Sequence, residues 1–274
     1  MFDLYSKVSE LRQKGEDVVV VTVTEKEGMG PADVGKKMLV TQDGESFGTV
    51  GGGSIERYAQ NRAKDIFKSR VSITERYVLF DKDIQLDQGE VKLNMACGGK
   101  ATLFYEFLGP KEYVYIFGGG HCGAALARLL SALDYYVTII DHRPEIISSL
   151  KEGDQKVQED FVKYIQQHPK LNGSFIVVST PSHTFDYAVL DEVFKQGIKP
   201  KYFGMLCSKK KIKDYLRELY AKHGQNVDLS AFYSPIGLST GGDSPEDVAL
   251  AIAAEIQAIH FGKEIKHLRD DYKI

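Results

Sequence analysis

Gly118, Gly120 and Gly123 fill the three glycine places of a G-x-G-x-x-G run, Gly118-Gly119-Gly120-His121-Cys122-Gly123. Each glycine has a physical task in a phosphate-binding loop. The first permits a tight turn, the second lets a phosphate approach the backbone, and the third lets the following helix pack close to the strand. The helix start that follows offers free N–H groups and a positive dipole end to an anion. Asp141 stands 18 residues after Gly123, at the end of a second apolar run, Val137 to Ile140. A carboxylate there binds a ribose hydroxyl in dinucleotide sites, and if the chain is an NAD(P)-dependent oxidoreductase, Arg143 beside it would favour a 2′-phosphate. The alternative is that Asp141 is a solvated strand-end residue and the glycines only turn the chain.

A second candidate is Gly51-Gly52-Gly53-Ser54-Ile55-Glu56. Three glycines before a helix cost conformational entropy, which favours close approach of a ligand to backbone N–H groups over a merely flexible joint. Ser54 is expected to cap the helix, and Glu56 to sit in its first turn. Cys97 precedes two glycines. It reads either as a packed small thiol or as a nucleophile or soft-metal ligand at an open turn. His183 and Asp186 are spaced for a proton-transfer pair, or are simply a loop residue and a helix-start acid. His121 in the glycine loop and Ser208 after an apolar run complete the candidates. A dehydrogenase Tyr-x-x-x-Lys is absent, and no hydrolase nucleophile elbow, G-x-S-x-G, is expected.

These residues need elements to hold them. Leu4, Val8 and Leu11 lie at helical spacing before Gly15. Val18–Val23 reads as a buried strand, and Lys37–Thr41 with Ser46–Val50 as a hairpin across Asp43-Gly44. The helix after Gly53 buries Ile55, Ala59 and Ile66. Val71–Phe80 and Ala101–Phe107 are further strands. From Glu112 strands and helices alternate: strands at 113–117, 137–140, 175–179 and 202–206, with helices at 185–194 and 211–223. Parallel strands would bring Gly118 to Gly123, Asp141, Thr180 to His183 and Cys207-Ser208 to one edge, where open α/β sheets bind ligands. Ser244-Pro245-Glu246-Asp247 is a strong helix start. The expected fold is α/β: a C-terminal Rossmann-like parallel sheet over residues 112–262, and a smaller N-terminal mixed α+β domain over 1–108.

The formal net charge of −3 gives no general attraction to nucleic acid or an anionic membrane. No stretch is long and apolar enough to span a bilayer, and the N-terminus lacks a signal-peptide pattern. Cys97, Cys122 and Cys207 are widely spaced and form no C-x-x-C, so free thiols in a reducing cytoplasm are expected.

Taken together the motifs resemble the XdhC/CoxI family. The likeness is carried by Met38-Leu39-Val40, Asp43-Gly44, Gly48 to Glu56, Cys97-Gly98-Gly99, Gly118 to Gly123, Asp141-His142-Arg143-Pro144-Glu145, Pro235-Ile236-Gly237-Leu238, Gly241, Pro245 to Leu250, and Ala254-Glu255-Ile256. The resemblance implies an accessory protein that binds molybdenum cofactor (molybdopterin), supports its sulfuration and delivers it to an apo molybdenum hydroxylase. It implies a sulfur-donor protein as second partner and leaves a homodimer open. Cys97 would contact the metal. Three places depart from the family pattern. The first loop reads Gly28-Met29 and Pro31-Ala32 where Gly-Ser and Pro-Arg are usual, Ser54 stands where Cys is frequent, and Thr180-Pro181-Ser182-His183 replaces a Thr-His-Asp-His run. The alternatives to a cofactor carrier are an NAD(P)-dependent oxidoreductase and a nucleotide-sensing regulator. Under the carrier reading, Cys97 and the Gly51-to-Glu56 loop are expected to face the C-terminal edge of the Rossmann sheet.

Overall fold

The computed structural model describes residues 3–30, 32–80, 85–95, 98–224, 227–267 and 269. The chain divides into two compact units, residues 1–110 and 111–274. Cys97 lies outside the described residues, and with it the expectation that it ligates a metal.

The first unit contains α1 (Leu4–Gln13), β1 (Val18–Glu27), β2 (Lys37–Thr41), β3 (Ser46–Gly48), α2 (Gly53–Ser69), β4 (Ile73–Leu79), β5 (Glu90–Leu93) and β6 (Lys100–Leu108). One mixed sheet results, in the order β3-β2-β1-β6-β4-β5. Side chains alternate across a strand, and β1 uses both faces. Val19, Val21 and Val23 pack with Ile55, Ala59, Ala63 and Ile66 of α2. Val18 and Val20 pack with Leu11 of α1 and Leu39. The β2–β3 hairpin forms as the Asp43-Gly44 signal predicts, with Gly44 at φ +92°. β1 runs past the expected Val23 because, beyond a shift in register, Glu25, Lys26 and Glu27 still pair with β6.

The second unit contains β7 (Tyr113–Phe117), α3 (His121–Ala132), β8 (Tyr136–Asp141), α4 (Pro144–Ser149), β9 (Gln155–Gln158), α5 (Phe161–Gln167), β10 (Phe175–Val178), α6 (His183–Lys195), β11 (Tyr202–Met205), α7 (Lys209–His223), β12 (Phe232–Tyr233) and α8 (Pro245–His260). Its sheet runs β12-β11-β10-β7-β8-β9, with every pair parallel. That is the doubly wound Rossmann order, with the switch point between β7 and β10. Val114 and Ile116 of β7 face α3 and α8. Tyr115 and Phe117 face α5, α6 and α7. Both faces are covered, which is why these strands read as continuous apolar runs. No helix among the described residues is long and apolar enough to cross a membrane.

Candidate functional site

The parallel sheet puts the ends of β7, β8, β10 and β11 on one edge. At the end of β7, Gly118 has φ +113°, and a Cβ there would stand 2.2 Å from the Ser179 carbonyl oxygen. A Cβ on Gly123 would stand 2.0 Å from the Gly118 carbonyl oxygen. Both glycines are therefore required by backbone crowding. Gly120 differs: it caps α3 at φ −66°, ψ −172°, and a Cβ there would meet nothing within 4 Å. The first helical bond is Ala124 N–H to Gly120 O, at 2.9 Å. The N–H groups of His121, Cys122 and Gly123 precede it and have no partner within the helix. His121 is exposed.

Asp141 is the last residue of β8 and is fully buried. Its Oδ2 accepts the Gly119 N–H at 2.9 Å and Arg143 Nη2 at 2.8 Å. Its Oδ1 accepts the Arg143 N–H at 3.0 Å and Nε at 2.9 Å. Burial alone would push this carboxyl up. The Arg143 guanidinium and the N–H groups of Arg143 and Gly119 outweigh burial and hold it below its ordinary value. Asp141 is thus neither a solvated strand-end residue nor a free ribose acceptor.

At the end of β10, the Asp186 carboxylate of α6 turns back to Thr180. It accepts the Thr180 N–H at 3.2 Å and its hydroxyl at 2.5 Å. Burial raises the Asp186 carboxyl, and these two bonds offset the rise only in part. Asp186 thus spends its carboxylate on tying the loop, while His183, exposed at the first position of α6, is close enough for its charge to act on Asp186. Ser208 caps α7, its hydroxyl accepting the Lys211 N–H at 3.4 Å. Cys207, beside it, lies 3.0 Å from the Ser234 hydroxyl, and burial pushes its thiol up. Cys122 is half-buried, and burial likewise raises its thiol.

The Gly51-to-Glu56 motif belongs to the first unit. Ser54 does not cap α2 as expected. Gly52 is the cap residue, and Ser54 is exposed one position inside the helix. Gly51 and Gly52 adopt φ +130° and +131°, a conformation that side chains disfavour. Glu56 lies in the first turn and accepts the Gly52 N–H at 3.2 Å and the Thr49 hydroxyl. The Gly51 N–H goes to the Thr49 hydroxyl at 3.2 Å. The loop thus supplies its own anion to its N–H groups.

One motif in the sequence departs from expectation, and two features were not legible in it. Gly237 to Gly241 does spell G-x-S-x-G, contrary to expectation. It lies in the irregular connection between β12 and α8, not on a sharp strand-to-helix turn, so it makes no nucleophile elbow. Gly237 instead donates its N–H to Glu255 at 3.0 Å, and the Tyr202 hydroxyl bonds the same carboxylate at 2.5 Å. A cavity of about 350 Å³ opens elsewhere on the unit, among Phe194, Phe203, Phe232, Lys199 and His223, and none of the expected site residues lines it. Its rings are dispersed in sequence, which hides it. Among the described residues, no group of three or more His, Cys, Asp and Glu is arranged to hold a metal ion.

Comparison with known proteins adds a family and a fold. Residues 114–256 match the model of the XdhC Rossmann domain, and residues 11–78 match that of the XdhC and CoxI family. The chain is 23% identical over 257 residues to YqeB of Escherichia coli (strain K12), a protein described as uncharacterized, covering 93% of this chain and 46% of YqeB. It is 29% identical over 157 residues to a probable xanthine dehydrogenase subunit of Bacillus subtilis (strain 168), covering 57% of this chain and 45% of that protein. The chain thus spans about half the length of these relatives. A crystal structure of a xanthine dehydrogenase from Bacillus halodurans superposes with a TM-score of 0.50 at 18% identity, over 98% of this chain and 99% of that one, a likeness of fold.

Proposed function

The chain belongs to the XdhC and CoxI family, and on that premise we propose that it serves as an accessory protein of a xanthine dehydrogenase-type molybdenum hydroxylase, binding molybdenum cofactor and passing it to the apoenzyme. The observation that carries the reading is the α3 start. Gly120 keeps open space beside N–H groups that no residue of the helix uses, and a phosphate-bearing ligand matches such a place. In sulfuration a sulfur-donor protein would be the second partner, since burial raises the thiols of Cys122 and Cys207 in this unit and disfavours the reactive thiolate. His121, His183 and Ser208 would lie along the ligand edge. Asp141 would act through Arg143 rather than on the ligand directly. Bound cofactor would supply molybdenum chemistry to the client, while this chain binds and orients it.

The test is transfer. Apo-hydroxylase is mixed with cofactor-loaded protein or with the same quantity of free cofactor, and recovered hydroxylase activity is followed. Faster and fuller recovery from the loaded protein is expected. Equal recovery from free cofactor would remove the delivery role.

A further inference from the structure

The cavity of about 350 Å³ in the second unit lies where β11 and β12 begin. The sheet is parallel, so this is the opposite end from the glycine loop, and the two places share no residue. Its apolar lining is largely aromatic. Phe203 of β11 lies 5.4 Å from Phe232 of β12 and 6.1 Å from Phe194 of α6, ring centre to ring centre. Two carboxylates stand beside it, and both are engaged. Asp228 accepts the Ser230 N–H at 2.9 Å. That bond, the Ser230 hydroxyl and the Lys199 charge hold its carboxyl below the ordinary value. Asp191 of α6 accepts from His223 Nε2 at 2.7 Å and from Lys222 Nζ at 3.1 Å. What the lining leaves for a ligand is its rings, the exposed Lys199, and His223 Nδ1, which bonds no described residue.

We propose that this cavity is a second small-molecule site, one that takes a planar aromatic carboxylate. Ligand sites run from about 300 to 1,000 Å³, and this one stands at the small end, which suits a compact ring system and not a dinucleotide. A flat ring joins Phe203 and Phe232 in the edge-on or offset arrangements that aromatic groups favour. A carboxylate on that ring meets the Lys199 ammonium. A ligand cation would instead compete with Lys222, His223 and the Ser230 N–H for acids already engaged. The Asp191–His223 bond also ties α6 to the end of α7. It fixes part of the wall before any ligand arrives, and a pre-formed wall lowers the ordering cost of binding. The inference does not depend on what the glycine loop holds.

The probe is 2-naphthoate, with 2-naphthamide as its neutral counterpart and cyclohexanecarboxylate as its non-aromatic one. The chain has no tryptophan, so naphthyl emission can be followed in the full chain, and cyclohexanecarboxylate is measured by displacement of 2-naphthoate. The wild type should bind 2-naphthoate saturably and about threefold or more tighter than either counterpart, the scale of one aromatic or one exposed charge contact. Lys199→Gln should bring 2-naphthoate and 2-naphthamide within about twofold by removing the charge. Phe232→Leu keeps apolar bulk but loses a ring, and should weaken 2-naphthoate by about threefold. Lys199 is exposed, so its variant carries the test if Phe232→Leu fails to fold. No saturable binding by the wild type, equal affinity for the three compounds, a preference for 2-naphthoate over the amide that survives Lys199→Gln, or wild-type affinity in folded Phe232→Leu would overturn the proposal.

Discussion

Asp186 is buried with two hydrogen bonds from Thr180, and Asp141 is buried with four donors, two of them from a guanidinium. The same residue type therefore moves in opposite directions, up for Asp186 and down for Asp141. A raised folded-state carboxyl costs stability wherever it is ionised, and the cost is relieved as pH falls through that raised value. Asp186→Asn keeps an acceptor for Thr180 and removes the buried charge. Its thermal midpoint should equal or exceed that of the wild type at neutral pH, with the gap closing on acidification. A variant less stable at pH 7 than the wild type would show that the charge itself is needed. The Asp141 clasp has the opposite sign: its stability is present above the ordinary carboxyl range and is lost as pH falls through the lowered value. The glycines separate similarly. Gly123→Ala forces a Cβ onto the Gly118 carbonyl and should cost about 1–3 kcal/mol, the range of overpacking. Gly120→Ala meets open space and should stay within about 0.5 kcal/mol of the wild type. Equal denaturant midpoints for the two variants would contradict the crowding argument.

At the scale of elements, two serines that look alike in sequence do different work. Ser244 closes a capping box on α8: its hydroxyl accepts the Asp247 N–H at 3.1 Å, and Asp247 returns the contact to the Ser244 N–H at 3.3 Å. Ser54 sits inside α2 with Gly52 as cap. Ser244→Ala should therefore cost about 1 kcal/mol, a lost cap, and Ser54→Ala no more than about 0.5 kcal/mol, an exposed substitution. Urea unfolding measures both, and comparable losses would put the cap back on Ser54. The serine before α8 was legible because Pro245, Glu246 and Asp247 agree with it. Ser54 misled because a positive-φ glycine start leaves no signal beyond the glycines themselves. Elements with strong periodicity, such as β1, α2, β7 and α3, could be read from their apolar spacing. β9, Gln155–Gln158, could not, because as an edge strand it holds one half-buried apolar residue between polar ones. β5 and β12 are too short to show a period.

For the whole molecule, strand order was legible only as alternation of strand and helix; the reversal between β7 and β10 depends on tertiary packing. The glycine loop and Asp141 were located from their spacing. That Arg143 occupies Asp141 was not, because an adjacent arginine can as easily face solvent or ligand. The two buried carboxylates of this edge are already engaged, so neither is a free proton donor beside a nicotinamide. NADH and NADPH are therefore expected to show no substrate-dependent oxidation with carbonyl compounds. Steady turnover with one such substrate, followed at the reduced-nicotinamide absorbance, would favour the oxidoreductase reading over a carrier.

The central claim is that the open α3 start of the Rossmann unit binds molybdenum cofactor, and titration of the cofactor into the wild type and Gly120→Val tests it most directly. Gly120 has room for a side chain and an ordinary φ, so the variant should fold with the wild-type circular dichroism spectrum. Retained pterin, measured by fluorescence after gel filtration, should be stoichiometric for the wild type, with affinity reduced by about tenfold or more in the variant, about 1.4 kcal/mol. Failure of the wild type to retain the pterin, or equal affinity in a folded Gly120→Val, would contradict it.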